Sequence, residues 1–99
     1  MKYRVRTLRR ADADIVSVED YLGREAPTSA ERVLDGIFDA IEDLQQSPER
    51  HAVARDERIR SKGFRVAVVA PYLIFFKVGR TLVRVYRVLH CKRSYRGLF

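Results

Sequence analysis

Tryptophan is absent from the chain and cysteine occurs once, at Cys91. A lone cysteine excludes an internal disulfide. The longest apolar run, Val66 to Phe76, is too short to span a bilayer and is broken by Pro71. The opening MKYRVRTLRRADAD alternates apolar and basic residues and has no apolar signal-peptide core. A cytoplasmic protein with no membrane partner is therefore expected. Gly63, Gly79 and Gly97 are isolated, which excludes a glycine-rich phosphate loop. His51, His90 and Cys91 are the only soft ligands, short of the roughly four that a zinc site needs. Neither a metal nor a cofactor is expected. Cys91 also lacks an orienting group and an oxyanion device, so it reads as a small residue at a strand end rather than a nucleophile.

Acid is the other missing component. Residues 58–99 contain eleven of the 20 Lys and Arg and no Asp or Glu. The first 57 residues hold the other nine against all 13 acids, a net of −4. So one-sided a charge points to a polyanionic partner, either nucleic acid or an acidic protein segment.

With 99 residues the chain forms one domain. Residues 2–8 alternate, with Tyr3, Val5 and Thr7 on one side, as in a half-buried strand. Ala11, Ile15, Val18 and Leu22 recur at helical spacing up to about Arg24, flanked by Asp14 and Tyr21. Thr28 and Glu31 have capping-box spacing and open a second helix, whose stripe runs Ala30, Val33, Leu34, Ile37, Ile41, Leu44. Ser47-Pro48 ends it, and residues 48–57 read as a loop. Strands follow within 59–69, at Tyr72–Val78 and at Thr81–His90, with turns at Ala70-Pro71 and Gly79-Arg80. The expected fold is α+β, βααβββ: an antiparallel sheet packed against an N-terminal helical hairpin.

The residues able to act lie in the basic C-terminal region: Arg84, Arg87, His90, Lys92, Arg93, Tyr95 and Arg96. Arg84 and His90 are an even number apart and, on a regular strand, share a face with Tyr86. Arginine and aromatic rings grip phosphates and stack bases. The same types are enriched in protein-binding hot spots.

The helix pattern Ala11-x-x-Asp14-Ile15-x-x-Val18-x-x-Tyr21, the strand PYLIFFKV and the ending Val88-Leu89-His90-x-x-Arg93-x-Tyr95-x-x-Leu98-Phe99 resemble the RelE/ParE superfamily of toxins from type II toxin–antitoxin modules. The resemblance covers essentially the whole chain and is strongest to the ParE branch. It implies one of two activities. RelE-like members cleave messenger RNA in the ribosome without a metal, using basic residues with a tyrosine or histidine. ParE-like members block DNA gyrase by binding. Either kind is silenced by an antitoxin with an extended C-terminal segment.

The positions where the RelE pattern has its catalytic residues fall here on Leu73, near Phe64 and Val66, and on Phe99; Arg93 alone is retained. Attack by a 2′-hydroxyl needs a base, an acid and cations on the developing charge, which Leu, Phe and Val do not supply. The resemblance therefore implies a gyrase-binding toxin with no catalytic residues and a cognate ParD-like antitoxin, with which it forms a hetero-oligomer. Its working surface would comprise Arg84, Arg87, His90, Lys92, Arg93, Tyr95 and Arg96, with Leu98 and Phe99 either anchoring the tail to its target or folding back on the core. The alternative is a ribosome-dependent endoribonuclease using His90, Arg93 and Tyr95. A third reading is a basic nucleic-acid-binding module without toxicity.

Overall fold

The computed structural model describes residues 2–95 and 97–99. Strand β1 (Arg4–Thr7) leads into helices α1 (Arg9–Glu25) and α2 (Pro27–Asp43). A 3-10 turn at Pro48–Arg50 and a short helix α3 (Glu57–Arg60) follow, then β2 (Arg65–Val69), β3 (Tyr72–Val78) and β4 (Leu82–His90). The βααβββ order is as expected. Helix α3 starts at the last residue of the expected loop and takes Ile59 and Arg60 from the span 59–69, so the strand there is confined to Arg65–Val69; α3 is capped by Asp56, whose Oδ1 accepts the Arg58 and Ile59 N–H groups. No helix among the described residues is long and apolar enough to cross a membrane.

The sheet runs β1-β4-β3-β2. The β2-β3-β4 meander is antiparallel, but β1 pairs parallel to β4, Val5 opposite Val83 and Thr7 opposite Val85. The sheet is therefore mixed rather than wholly antiparallel. Parallel neighbours need a long crossover, and the helical hairpin with β2 and β3 provides it.

The expected capping box is also absent. Pro27 occupies the first turn of α2, Ala26 is its N-cap, and no side chain caps the helix. Proline suits that position because its missing N–H would be unpaired there anyway. Ser29 Oγ instead donates to the Ala26 carbonyl at 3.3 Å.

The main core lies between the hairpin and one face of the sheet. Ala11, Ile15, Val18 and Leu22 of α1 and Ile37 of α2 meet Tyr72, Ile74, Phe76, Val83 and Val85. Each such aliphatic or aromatic side chain contributes roughly 1.5–3 kcal/mol on burial. Gly36 lets α2 approach β2 closely, since a Cβ there would stand 3.1 Å from Val69 Cγ1.

The other face carries a second cluster. Ala54, Ile59, Phe64, Phe75 and Leu89 are buried, with Val66, Leu73, Tyr86, Tyr95, Leu98 and Phe99 packed around them.

Candidate functional site

The geometry of the C-terminal region is set where β1 ends. The parallel ladder closes with the Leu8 N–H donating to the Val85 carbonyl at 2.9 Å. Beyond Val85, β4 has no strand on that side, and α1 lies alongside it. There Asp14 takes the place of the missing strand: its Oδ2 accepts the Val88 N–H at 2.9 Å. The same carboxylate receives Arg87 in a fork, Nε to Oδ2 at 2.7 Å and Nη2 to Oδ1 at 2.8 Å. The two side chains are only 10% and 9% exposed. Hydrogen bonding to Asp14 raises the Arg87 pKa further above its ordinary value, against the opposing effect of burial. Arg87 also donates from Nη1 to the Leu98 carbonyl at 3.3 Å. It joins helix, strand and tail inside the molecule, and is not the exposed target-binding group expected from sequence.

A register shift determines the rest. Phe75 pairs with Arg87 but Phe76 with Val85, so Tyr86 is the extra residue of a β-bulge. A bulge reverses which side chains point to which face. Before it, Val83 and Val85 face the helices; after it, Val88 does, and Leu89 turns to the second cluster. His90 therefore points to the helical face, opposite Tyr72, with ring centroids 5.5 Å apart. Arg84, paired with Lys77, stays on the other face. The expected shared face of Arg84, Tyr86 and His90 does not form. Arg84 and His90 are also separated by about 20 Å of strand.

His90 and Arg93 line a cleft of about 390 Å³ between α1 and the end of β4, together with Ser17, Tyr21 and Tyr72. His90 Nδ1 accepts the Lys92 N–H at 3.1 Å, which leaves Nε2 as the nitrogen free to face a ligand. Burial, followed by the nearby Tyr21, raises the Tyr72 pKa. Lys92 is exposed.

The tail folds back on the second cluster. Phe99 packs against Phe64 and Phe75 at centroid distances of 4.9 and 5.0 Å, and Tyr95 lies 5.3 Å from Phe75. Among the described residues the Tyr95 hydroxyl has no hydrogen-bond partner. Burial pushes its pKa up, with the Cys91 thiol as a smaller cause. Arg96 lies outside the described residues.

Of the nine residues expected to form one surface, the eight described ones are thus distributed. His90 and Arg93 share the cleft, Lys92 is exposed beside them, Arg84 stands at the far end of β4, and Arg87 is inside. Tyr95, Leu98 and Phe99 pack on the opposite face. Sequence reasoning placed Asp14 and Tyr21 beside the α1 stripe without a role; both line the cleft. Their place in the helix pattern was the available signal, but Asp14 meets a partner 73 residues away.

A family model described as the ParE toxin of type II toxin–antitoxin systems, parDE, matches residues 5–95. Toxin RelE2 of Caulobacter vibrioides is 33% identical over 84 residues, covering 85% of this chain and 90% of the relative. The fold is similar to a chain of the chromosomal ParDE system of P. aeruginosa, with a TM-score of 0.71 at 22% identity, covering 90% of this chain and 96% of that one. It is also similar to a chain of the toxin–antitoxin complex RelBE2 of Mycobacterium tuberculosis, with a TM-score of 0.66 at 23% identity, covering 91% and 99%. The α1 pattern, whose Asp14 anchors β4, and the C-terminal ending both fall largely within the matched span, and the chain belongs to the ParE toxin family of type II toxin–antitoxin systems.

Proposed function

We propose that the protein is a toxin that inhibits DNA gyrase by binding rather than by cleaving RNA. One observation carries this reading. Phe64, Val66, Leu73 and Phe99, which stand at or near the positions where the nuclease pattern needs catalytic groups, converge in a single apolar cluster. They lie close enough to form one site, yet supply neither an acid, a base nor a cation. Tyr95, in the same cluster, has its pKa raised by burial and is a poor base at neutral pH. His90 and Arg93 open onto the other face, so the trio His90, Arg93 and Tyr95 does not converge on one reacting atom.

The antitoxin partner follows from the family and from the charge. An acidic, partly disordered segment would take up the excess of Lys and Arg in residues 58–99 and order on binding. Strand β2 is a sheet edge with Val68 67% exposed, and Phe38 of α2 is 49% exposed, which supports docking along that edge and the hairpin.

The test is a supercoiling and DNA-cleavage assay with purified gyrase. Loss of supercoiling with trapped double-strand breaks, relieved by the antitoxin and weakened by Arg93→Ala, is the expected result. Growth arrest with gyrase untouched and message cut only on ribosomes would overturn the proposal.

A further inference from the structure

The cleft that holds His90 and Arg93 contains more than a surface cation for gyrase. It lies between α1 and the end of β4, and its polar walls are Asp14, Ser17, Tyr21, Tyr72, His90 and Arg93. Asp14 is the acid among them, and its carboxylate is already committed inward. Oδ1 accepts Arg87 Nη2, and Oδ2 accepts both Arg87 Nε and the Val88 N–H. Asp14 therefore offers little to a ligand, and the groups around it are donors.

His90 is fixed as a donor by its own turn. Nδ1 accepts the Lys92 N–H at 3.1 Å, so the neutral ring carries its proton on Nε2. Tyr72 is 4% exposed, and its hydroxyl has no hydrogen-bond partner among the described residues. Burial, followed by the nearby Tyr21, raises its pKa, so that hydroxyl keeps its proton at neutral pH. Arg93 is exposed, carries only N–H donors, and has no carboxylate partner among the described residues. Its backbone N–H donates to the His90 carbonyl at 3.0 Å, which holds the two residues in one turn. The floor beneath these donors is apolar, with Val18 and Val88 from the main core.

We propose that this cleft binds a small aromatic carboxylate. Donors without free acceptors call for an oxyanion, and one unpaired guanidinium matches a single negative charge. A planar carboxylate also fits the guanidinium fork with two parallel bonds. His90 Nε2 and the Tyr72 hydroxyl, on register-paired residues with ring centroids 5.5 Å apart, would take the lone pairs that Arg93 leaves. A phosphate monoester carries nearly two charges at neutral pH and would leave one uncompensated. The ring of the ligand would rest on the apolar floor and against Tyr21, which is 50% exposed on α1. An acidic side chain of another protein brings the carboxylate but only a short aliphatic stem, which leaves Tyr21 uncovered. The volume of about 390 Å³ falls within the range of small-molecule sites. The bulge at Tyr86 makes this arrangement, because it turns His90 to the helical face beside Tyr72.

The test is isothermal titration calorimetry of the full-length chain with naphthoate, without gyrase. Its outcome is therefore independent of the gyrase proposal. The neutral analogue naphthylmethanol is expected to bind at least about tenfold more weakly, and Arg93→Gln to weaken naphthoate by a similar factor. His90→Phe and Tyr72→Phe each keep a ring and lose one donor, and each is expected to weaken binding about threefold to tenfold. Where His90→Phe lowers folding, seen by circular dichroism, Tyr72→Phe carries the donor test. Arg32→Gln makes the same charge change as Arg93→Gln on the exposed side of α2, and is expected to change affinity less than about twofold. Equal losses in Arg32→Gln and Arg93→Gln would reduce the binding to net charge and overturn the proposal. So would wild-type protein that fails to bind naphthoate at about 1 mM. Tighter binding of naphthyl phosphate would assign the cleft to phosphate, and equal binding of N-acetylglutamate amide would assign it to an acidic side chain; either overturns the aromatic carboxylate.

Discussion

Replacing Asp14 with alanine tests the central feature of the C-terminal region. The substitution removes both acceptors of the Arg87 fork and the acceptor of the Val88 N–H. Arg87 would keep only the Leu98 carbonyl at 3.3 Å. Leaving one member of a buried ion pair uncompensated costs about 3–5 kcal/mol. A domain of this size has about 5–15 kcal/mol in all. At about 4–8 °C per kcal/mol, the melting temperature should fall by at least roughly 12 °C. Asp14→Asn keeps an oxygen for the Val88 N–H but loses the charge, and should fall between wild type and Asp14→Ala. The double variant Asp14→Leu/Arg87→Met removes both charges together and should recover most of the loss. Urea unfolding followed by circular dichroism measures all three, with an unchanged m-value showing that the same surface unfolds. The raised Arg87 pKa makes its share of this stability complete below the ordinary arginine value; it is lost only as pH rises through the still higher folded value. A loss below about 1 kcal/mol in Asp14→Ala would mean that Arg87 swings out to water, and the anchoring argument would fail.

Other perturbations probe the two faces of the sheet. Phe76 is fully buried, and Phe76→Ala should cost about 3–5 kcal/mol in the same unfolding experiment. Deleting Leu98 and Phe99 uncovers Phe64 and Phe75 and removes the Arg87 bond to the tail. It should cost roughly 2 kcal/mol and increase binding of a hydrophobic dye. The His51 pKa is lowered, first by burial and then by Arg50. A base with a lowered folded pKa stabilises fully above its unfolded value of 6.5, and that stability is lost as pH falls through the folded value. Urea midpoints measured on either side of this range should fall toward acid, and His51→Gln should flatten the dependence.

Much of this molecule was legible along the chain. The stripes of α1 and α2 and the alternation Tyr72, Ile74, Phe76, Val78 identify the helical hairpin and the core face of β3. The one-sided charge identifies the basic half. These are repeats of side-chain type, which a segment carries whatever it packs against. The capping box at Thr28 failed because Pro27 starts the helix two residues earlier, with Ala26 as its N-cap, a competition between two local signals.

The candidate site was only partly legible. The ending that resembles the toxins contains His90 and Arg93, which do share a cleft, but also Tyr95, which does not join them; nor does Arg87, just ahead of it. Even spacing placed Arg84 and His90 together, and the bulge at Tyr86 separated them. A bulge belongs to the pairing of two strands, so no alternation within β4 reports it. The parallel β1–β4 pair is of the same kind, because a half-buried strand has the same period in either direction.

The sequence by itself therefore determined the two long helices, the strands, their order and the sign of the charge, all set by short-range periodicity and composition. Only the tertiary structure decided that Arg87 is inside, that Phe64, Val66, Leu73 and Phe99 meet, and that Tyr21, Tyr72, His90 and Arg93 share a cleft. Each of these depends on contacts between segments far apart in the chain, where register and strand direction decide which side chains become neighbours.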